Sequence, residues 1–206
     1  APVIQEHKLP ISLFSDLLTA FEQDVTVKRH LNYEELHYYC THSANPVGRI
    51  LLHLYNEQRP DSLSMSDAIC TGLQLTNFWQ DIAIDWSKDR VYIPLDTLSQ
   101  FNLSEDYIAA RSAQQPTSAT DNKHWLRMMQ QQVEQTRQLL RSGMPLAARL
   151  PGRISLELRL IILGGLRILE RLDEVDYDVF TRRPTLTKAD WVLLGSRLLT
   201  TRFNNK

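Results

Sequence analysis

Gln74, Asn77, Asp81 and Asp85 are the residues of this chain best spaced to do chemistry. On a helix of 3.6 residues per turn each position advances by about 100°, so the four fall within roughly 80° of one another. Asp81 and Asp85 then stand one turn apart, about 6 Å along the axis, where two like charges disfavour a bare helix. A cation between them would relieve that repulsion. Magnesium suits the position because it takes oxygen ligands, keeps several waters and commonly joins one or two carboxylates to substrate phosphates. Asn77 and Gln74 would orient water or a diphosphate oxygen, and Gln80 directly precedes the first aspartate. The competing reading of any Asp pair at this spacing is an exposed acidic face on an ordinary helix. Leu73, Leu75, Phe78, Trp79, Ile82, Ile84 and Trp86 argue against it, because they make the segment too apolar for a solvated surface and turn the carboxylates toward an enclosed cavity.

Such side chains need a scaffold, and almost the whole chain reads as helix. Apolar residues recur helically from Leu9 to Gln23. Tyr33 to Cys40 and Pro46 to Glu57 follow, the latter with proline in the first turn, where it is well tolerated. Ser64 or Ser66 is expected to cap the helix carrying the aspartates, which is expected to continue to Trp86. Arg90 to Pro94 reads as extended or irregular, and Ser104 starts a short helix. Residues 111–121 lack apolar periodicity and read as a mobile loop. Asp121 to Ser142 and Gly152 to Leu172 are long amphipathic segments, the second interrupted by Gly164 and Gly165. Thr187 and Asp190 are spaced as a capping box for a last helix to Leu199. The expectation is an all-α bundle whose cavity lies between helices, where bundles place their metal sites.

The chain has 206 residues, enough for one globular domain with a substantial core, and no long flexible linker divides it. With 23 Lys and Arg against 24 Asp and Glu, nothing suggests general attraction to nucleic acid or to an anionic membrane. Cys40 and Cys70 make no disulfide framework and have no metal-site spacing; buried free thiols in a reducing cytoplasm are expected. The longest nearly apolar run, Leu160 to Leu166, is far short of the roughly 20 residues that cross a bilayer.

The run from Ala68 to Asp85, followed by Arg90, Val91, Tyr92, Ile93 and Pro94, resembles the second aspartate-rich motif of the squalene and phytoene synthases. Tyr39 to Arg49 resembles another helix of that family's active-site wall, and its Ser43-Ala44-Asn45-Pro46-Val47-Gly48 wording is similar to the hydroxysqualene synthase branch of the hopanoid pathway. Asp178 to Pro184 is also similar to family members. The resemblance implies an isoprenoid-synthase bundle with a central cavity. It also implies magnesium on Asp81 and Asp85, and conversion of presqualene diphosphate to hydroxysqualene and diphosphate. The alternative within the family is head-to-head condensation of farnesyl diphosphate. Many condensing members place arginine where Gln80 stands, and losing that cation favours the first reaction. A different class, the helical assembly factors that keep this fold without prenyl chemistry, would have no reason to retain the whole Gln74, Asn77, Asp81, Asp85 stripe.

Breaking an allylic or cyclopropylcarbinyl diphosphate leaves an anion at one end of the site and a carbocation at the other. Arg49, Lys88, Arg90, Arg182 and Arg183 are candidate phosphate partners, since arginine grips phosphate with two parallel donors. Arg90, close to the aspartates, ranks above Arg182 and Arg183, for which a solvated basic turn is the plain alternative. Tyr39, Phe78, Trp79, Trp86 and Tyr92 could shelter the cation, although aromatics more often simply pack. Gln80, Asn45 or Ser43 would position the quenching water, and His42 or His53 would accept a proton. The family's first aspartate-rich motif lies on an earlier helix, whereas Asp16 and Asp24 are eight apart and no Asp-x-x-x-Asp precedes Tyr39. The chain also opens at Ala1 without a methionine. An N-terminal portion bearing half of the metal site is therefore expected outside this sequence. The isolated chain is expected to be weakly active or inactive, to self-associate through exposed apolar surface, and to touch membrane only peripherally.

Overall fold

The computed structural model describes residues 2–203. Twelve helices follow in order among them: α1 (Pro2–Glu6), α2 (Ile11–Thr26), α3 (Tyr33–Ser43), α4 (Asn45–Leu54), α5 (Pro60–Gln80), α6 (Ile82–Trp86), α7 (Leu95–Gln100), α8 (Glu105–Ser112), α9 (Ala119–Gly143), α10 (Leu146–Arg149), α11 (Gly152–Glu174) and α12 (Lys188–Thr200). The only β pairing among the described residues is an isolated parallel bridge between Arg29 and Val91.

α5 is the axis of the bundle, touching α3, α4, α6, α9, α10 and α11. Its buried residues, among them Ile69, Gly72, Leu75, Phe78 and Trp79, lie on several sides of the helix. A helix apolar on most sides belongs inside a fold rather than on it. Small residues let its neighbours come close. A Cβ on Gly143 would lie 2.4 Å from Ile69 Cγ1 and 2.7 Å from the Met65 carbonyl oxygen, so α9 ends against α5 with no room for a methyl group. Gly143→Ala is expected to destabilise the chain by about 1–3 kcal/mol in urea denaturation; an unchanged midpoint would show that this crossing yields easily.

Two buried clusters flank the axis. One gathers Leu36, Tyr39, Phe78, Trp79, Met128 and Val133; the other gathers Leu52, Ile69, Leu146, Ile162, Leu163 and Leu194, with Leu73 and Leu166 packed against both.

Several expectations need correcting. α5 starts at Pro60, a proline at its first turn, and neither Ser64 nor Ser66 caps it. It ends at Gln80, because Asp81 leaves helical torsions with φ −108° and ψ 13°, and a separate short helix carries Asp85. The irregular segment expected over 111–121 is narrower: α8 reaches Ser112 and α9 begins at Ala119, capped by Ser118. Gly164 and Gly165 do not interrupt α11, since a Cβ on Gly165 would meet Leu73 at 2.7 Å and the glycine serves close packing. The Ser104 cap and the Thr187–Asp190 capping box form as expected. No helix of the described residues is long and apolar enough to cross a membrane.

The last helix is tied down by charge. The buried Asp190 carboxylate accepts from Arg167 Nε at 2.6 Å and from Arg171 Nη2 at 2.8 Å, besides the Thr187 backbone N–H at 2.7 Å. These donors, Arg171 foremost, hold the Asp190 carboxyl well below the usual carboxylate range. The network fixes where the chain leaves the 181–186 connection, which bears on the site.

Candidate active site

Asp81 and Asp85 share an uninterrupted backbone ladder across the joint between α5 and α6. Asp81 N–H donates to the Asn77 carbonyl at 2.9 Å and Asp85 N–H to the Asp81 carbonyl at 2.8 Å. The expected stripe therefore survives the break in torsions. Both side chains are mostly enclosed, at 14% exposure each, which is low for carboxylates on a polar stripe.

Their surroundings differ. Asp81 is fully engaged: Arg183 Nε lies 2.6 Å from Oδ1, Arg183 Nη2 lies 3.1 Å from Oδ2, and Asn77 Nδ2 donates to Oδ2 at 2.9 Å. Asp85 has only Lys88 Nζ, at 3.9 Å. Burial pushes the Asp85 carboxyl above its ordinary range, Asp81 adds to the push, and Lys88 and Arg90 draw it partly back. A half-buried carboxylate short of positive charge, one helical turn from another, fits a divalent ion with oxygen ligands. Among the described residues no group of three or more His, Cys, Asp or Glu forms a metal cage, so a cation here would complete its shell with water and substrate oxygens.

Asp85 and Arg90 line a narrow cleft with Phe78, Ile82 and Tyr92. The Phe78 and Tyr92 rings stack at 3.7 Å and 8°, with Tyr39 tilted against both at 6.1 and 5.9 Å. Tyr39 is buried and donates its hydroxyl proton to Asp24 at 2.8 Å. Arg90 reaches the Asp24 carbonyl at 3.0 Å, so the end of α2 steadies both residues. Asp24 was missed as a positioning group because its partners lie 15 and 66 positions away. The cleft is clamped from outside by Arg29, which donates to the Asp89 carbonyl at 2.7 Å and carboxylate at 2.9 Å and to Glu105 at 2.8 Å.

The face of α5 leading away from Asp81 turns apolar. Asp81, Asn77, Leu73, Cys70 and Ser66 recur at steps of three and four, and the last three line a cavity of about 210 Å³ together with Gly48, Leu51 and Ile161. Gly48 is required there: a Cβ would sit 2.4 Å from Ser66 Oγ and 2.5 Å from Cys70 Sγ. From Ser66 to Asp81 the helix rises about 22 Å.

Other sequence candidates lie elsewhere or are otherwise occupied. Trp79 does not face the cleft; its ring is fully buried and its Nε1–H donates to Thr136 at 2.8 Å, so it packs the core between α5 and α9. Asn45 is buried and accepts from Thr71 at 2.9 Å, tying α4 to α5. Arg49 is paired with Asp67 at 2.9 and 2.5 Å. Gln80 spends its side-chain N–H on the Pro184 carbonyl, a positioning contact rather than a hold on water. Arg182 is exposed, Gln74 is half-buried one turn before the exposed Asn77, and Ser43 keeps a buried hydroxyl with no partner among the described residues. His42 caps back onto the Tyr38 carbonyl at 2.8 Å. Cys40 and Cys70 are free, and burial raises both thiols, to about 12 and about 11.

An all-α bundle with paired carboxylates at one end of an apolar face has the fold of the isoprenoid synthases. A family model described as squalene/phytoene synthase matches residues 1–190, and the chain belongs to that family. It is 33% identical over 175 residues to the hydroxysqualene synthase of Rhodopseudomonas palustris, covering 84% of this chain and 57% of that protein. It is 45% identical over 102 residues to the hydroxysqualene synthase of Sinorhizobium fredii, covering 48% and 35%. Among solved structures, squalene synthase HpnC from Alicyclobacillus acidocaldarius matches with a TM-score of 0.77 at 32% identity, covering 84% of this chain and 63% of that one. A dehydrosqualene synthase, at 18% identity and a TM-score of 0.76, covers 94% and 65% and is alike in fold. The chain thus spans little more than half the length of the first of these relatives.

Proposed function

We propose that this chain carries the cation- and diphosphate-binding aspartates of a hydroxysqualene synthase, which converts presqualene diphosphate and water to hydroxysqualene and diphosphate. One observation carries the reading: two enclosed carboxylates, Asp81 at the end of α5 and Asp85 on α6 one turn on, the second lacking a close counter-ion, stand where the α5 face that lines an apolar cavity runs out. A substrate with a diphosphate head and a hydrocarbon tail matches both ends. The named relatives support the particular reaction, and Gln80 in place of a cation agrees with it.

Magnesium bound at Asp81 and Asp85 would supply positive charge to the departing diphosphate. The chain's own residues do the rest. Asn77 orients the Asp81 carboxylate, and Arg90, steadied by Asp24, stands at the cleft as a partner for phosphate oxygens. As the carbon–oxygen bond breaks, its electron pair leaves with the diphosphate. Phe78 and Tyr92, stacked on each other beside Asp85 and Arg90, supply an apolar wall next to the carboxylates. Water then forms the new carbon–oxygen bond, and the proton it gives up is taken by the departed diphosphate.

Supplying presqualene diphosphate and farnesyl diphosphate separately to the full-length protein, and analysing the products, tests this. Hydroxysqualene is expected from the first. No alcohol from presqualene diphosphate, together with presqualene diphosphate, squalene or phytoene from farnesyl diphosphate or its longer homologue, would transfer the assignment to the condensing branch.

A further inference from the structure

Arg183 occupies the carboxylate that a cation would need. Its guanidinium grips Asp81 by both oxygens, and the segment carrying it is held on all sides. Gln80 donates to the carbonyl of the next residue, the buried Pro184. Upstream, Thr181 bonds to Asp178, which pairs with Arg111 at 2.8 Å; downstream, the Thr187–Asp190 box is locked by Arg167 and Arg171. Two aspartates that look equivalent in the sequence are therefore unequal, one gripped by a guanidinium through both oxygens and the other facing only Lys88 at 3.9 Å.

A divalent ion spanning both competes with the guanidinium for Asp81, because cations sharing one carboxylate repel and Arg183 and Asn77 already take three of its lone-pair positions. A free ion has nothing to offer Arg183 in return. An ion arriving with a diphosphate does, since phosphate oxygens give the guanidinium another two-pronged acceptor of higher charge. We propose that Arg183, positioned by the Gln80–Pro184 contact, is a built-in counter-ion that keeps divalent cations off Asp81 until a diphosphate arrives to take the guanidinium. The inference rests on the reading of Asp81 and Asp85 as cation ligands. Arg183 is on this account a positioning residue in the free protein and a diphosphate partner in the loaded one.

Manganese, counted by electron paramagnetic resonance or water proton relaxation, reports the exchange without turnover. The 206-residue chain is compared with Arg183→Gln, Arg183→Lys, Gln80→Ala and Asp81→Asn, each checked for an unchanged helical signal. With manganese alone, Arg183→Gln is expected to bind about fivefold tighter, the size of removing one partly exposed ion pair. Gln80→Ala should move the same way by less, and Arg183→Lys should fall between. With preformed manganese diphosphate the order reverses, and Arg183→Gln binds more weakly than the parent. Unchanged or weaker manganese binding by Arg183→Gln, with Asp81→Asn still losing the ion, overturns the counter-ion role and leaves the aspartate reading intact. If Asp81→Asn binds preformed manganese diphosphate as the parent does, the aspartate reading fails and takes this inference with it.

Discussion

Asp85→Asn is expected to lower product formation in the full-length protein by about 10²–10³-fold, while its far-ultraviolet circular dichroism stays that of the parent. The substitution keeps the shape of the side chain and removes only its charge. Asp85 makes no side-chain hydrogen bond that α6 would lose, and its burial next to Asp81 already disfavours its ionised form. The native fold therefore gives up little, and a melting temperature equal to or slightly above the parent's should accompany the lost activity. Asp81→Asn is the less clean experiment, since it also strands Arg183 without its carboxylate partner. Full turnover in both variants would show that neither carboxylate holds a required cation, whereas no turnover by the parent with either diphosphate would favour a helical assembly factor over an enzyme.

Trp79→Ala should produce the largest loss of stability in the chain, about 3–5 kcal/mol in urea or thermal denaturation, as for other fully buried large aromatics. The ring is completely enclosed between α5 and α9, and its removal also frees the Thr136 hydroxyl, whose other bond returns to the Gln132 carbonyl at 2.8 Å. Trp79→Phe separates the two contributions: it keeps most of the packing and loses the indole N–H donor, and about 1–2 kcal/mol should remain of the effect. If Trp79→Ala instead left stability unchanged and weakened substrate binding, the tryptophan would belong to the cavity wall after all.

The helical architecture was legible because apolar periodicity, the Ser104 cap and the Thr187–Asp190 box are local signals, each contained within a turn or two of the chain. The paired carboxylates were legible for the same reason. What stayed hidden depends on partners remote in sequence. Gln80 reads as a group near the reaction, yet its amide meets the carbonyl of a residue 104 positions on. Asn45 looks like a polar wall residue until Thr71 is folded against it. The true start of the central helix did carry a signal in Pro60, but two serines further on also satisfied a capping pattern and competed with it. Gly164 and Gly165 read as an interruption because propensity counts only the backbone, whereas packing against Leu73 requires the missing side chain.

The step out of helical torsions at Asp81 puts the two carboxylates on different helices, joined by one run of backbone hydrogen bonds. Asp81 moves with the long central rod and the segment latched to it. Asp85 moves with a five-residue helix that leans on α8 and continues into the turn clamped by Arg29. The gap between them behaves like the opening of a vice whose jaws are mounted on different parts of the frame. A change at Glu105 or Asp89, both bonded to Arg29, bears on Asp85 before Asp81, and on the proposed reading would alter the spacing of the two carboxylates with neither replaced.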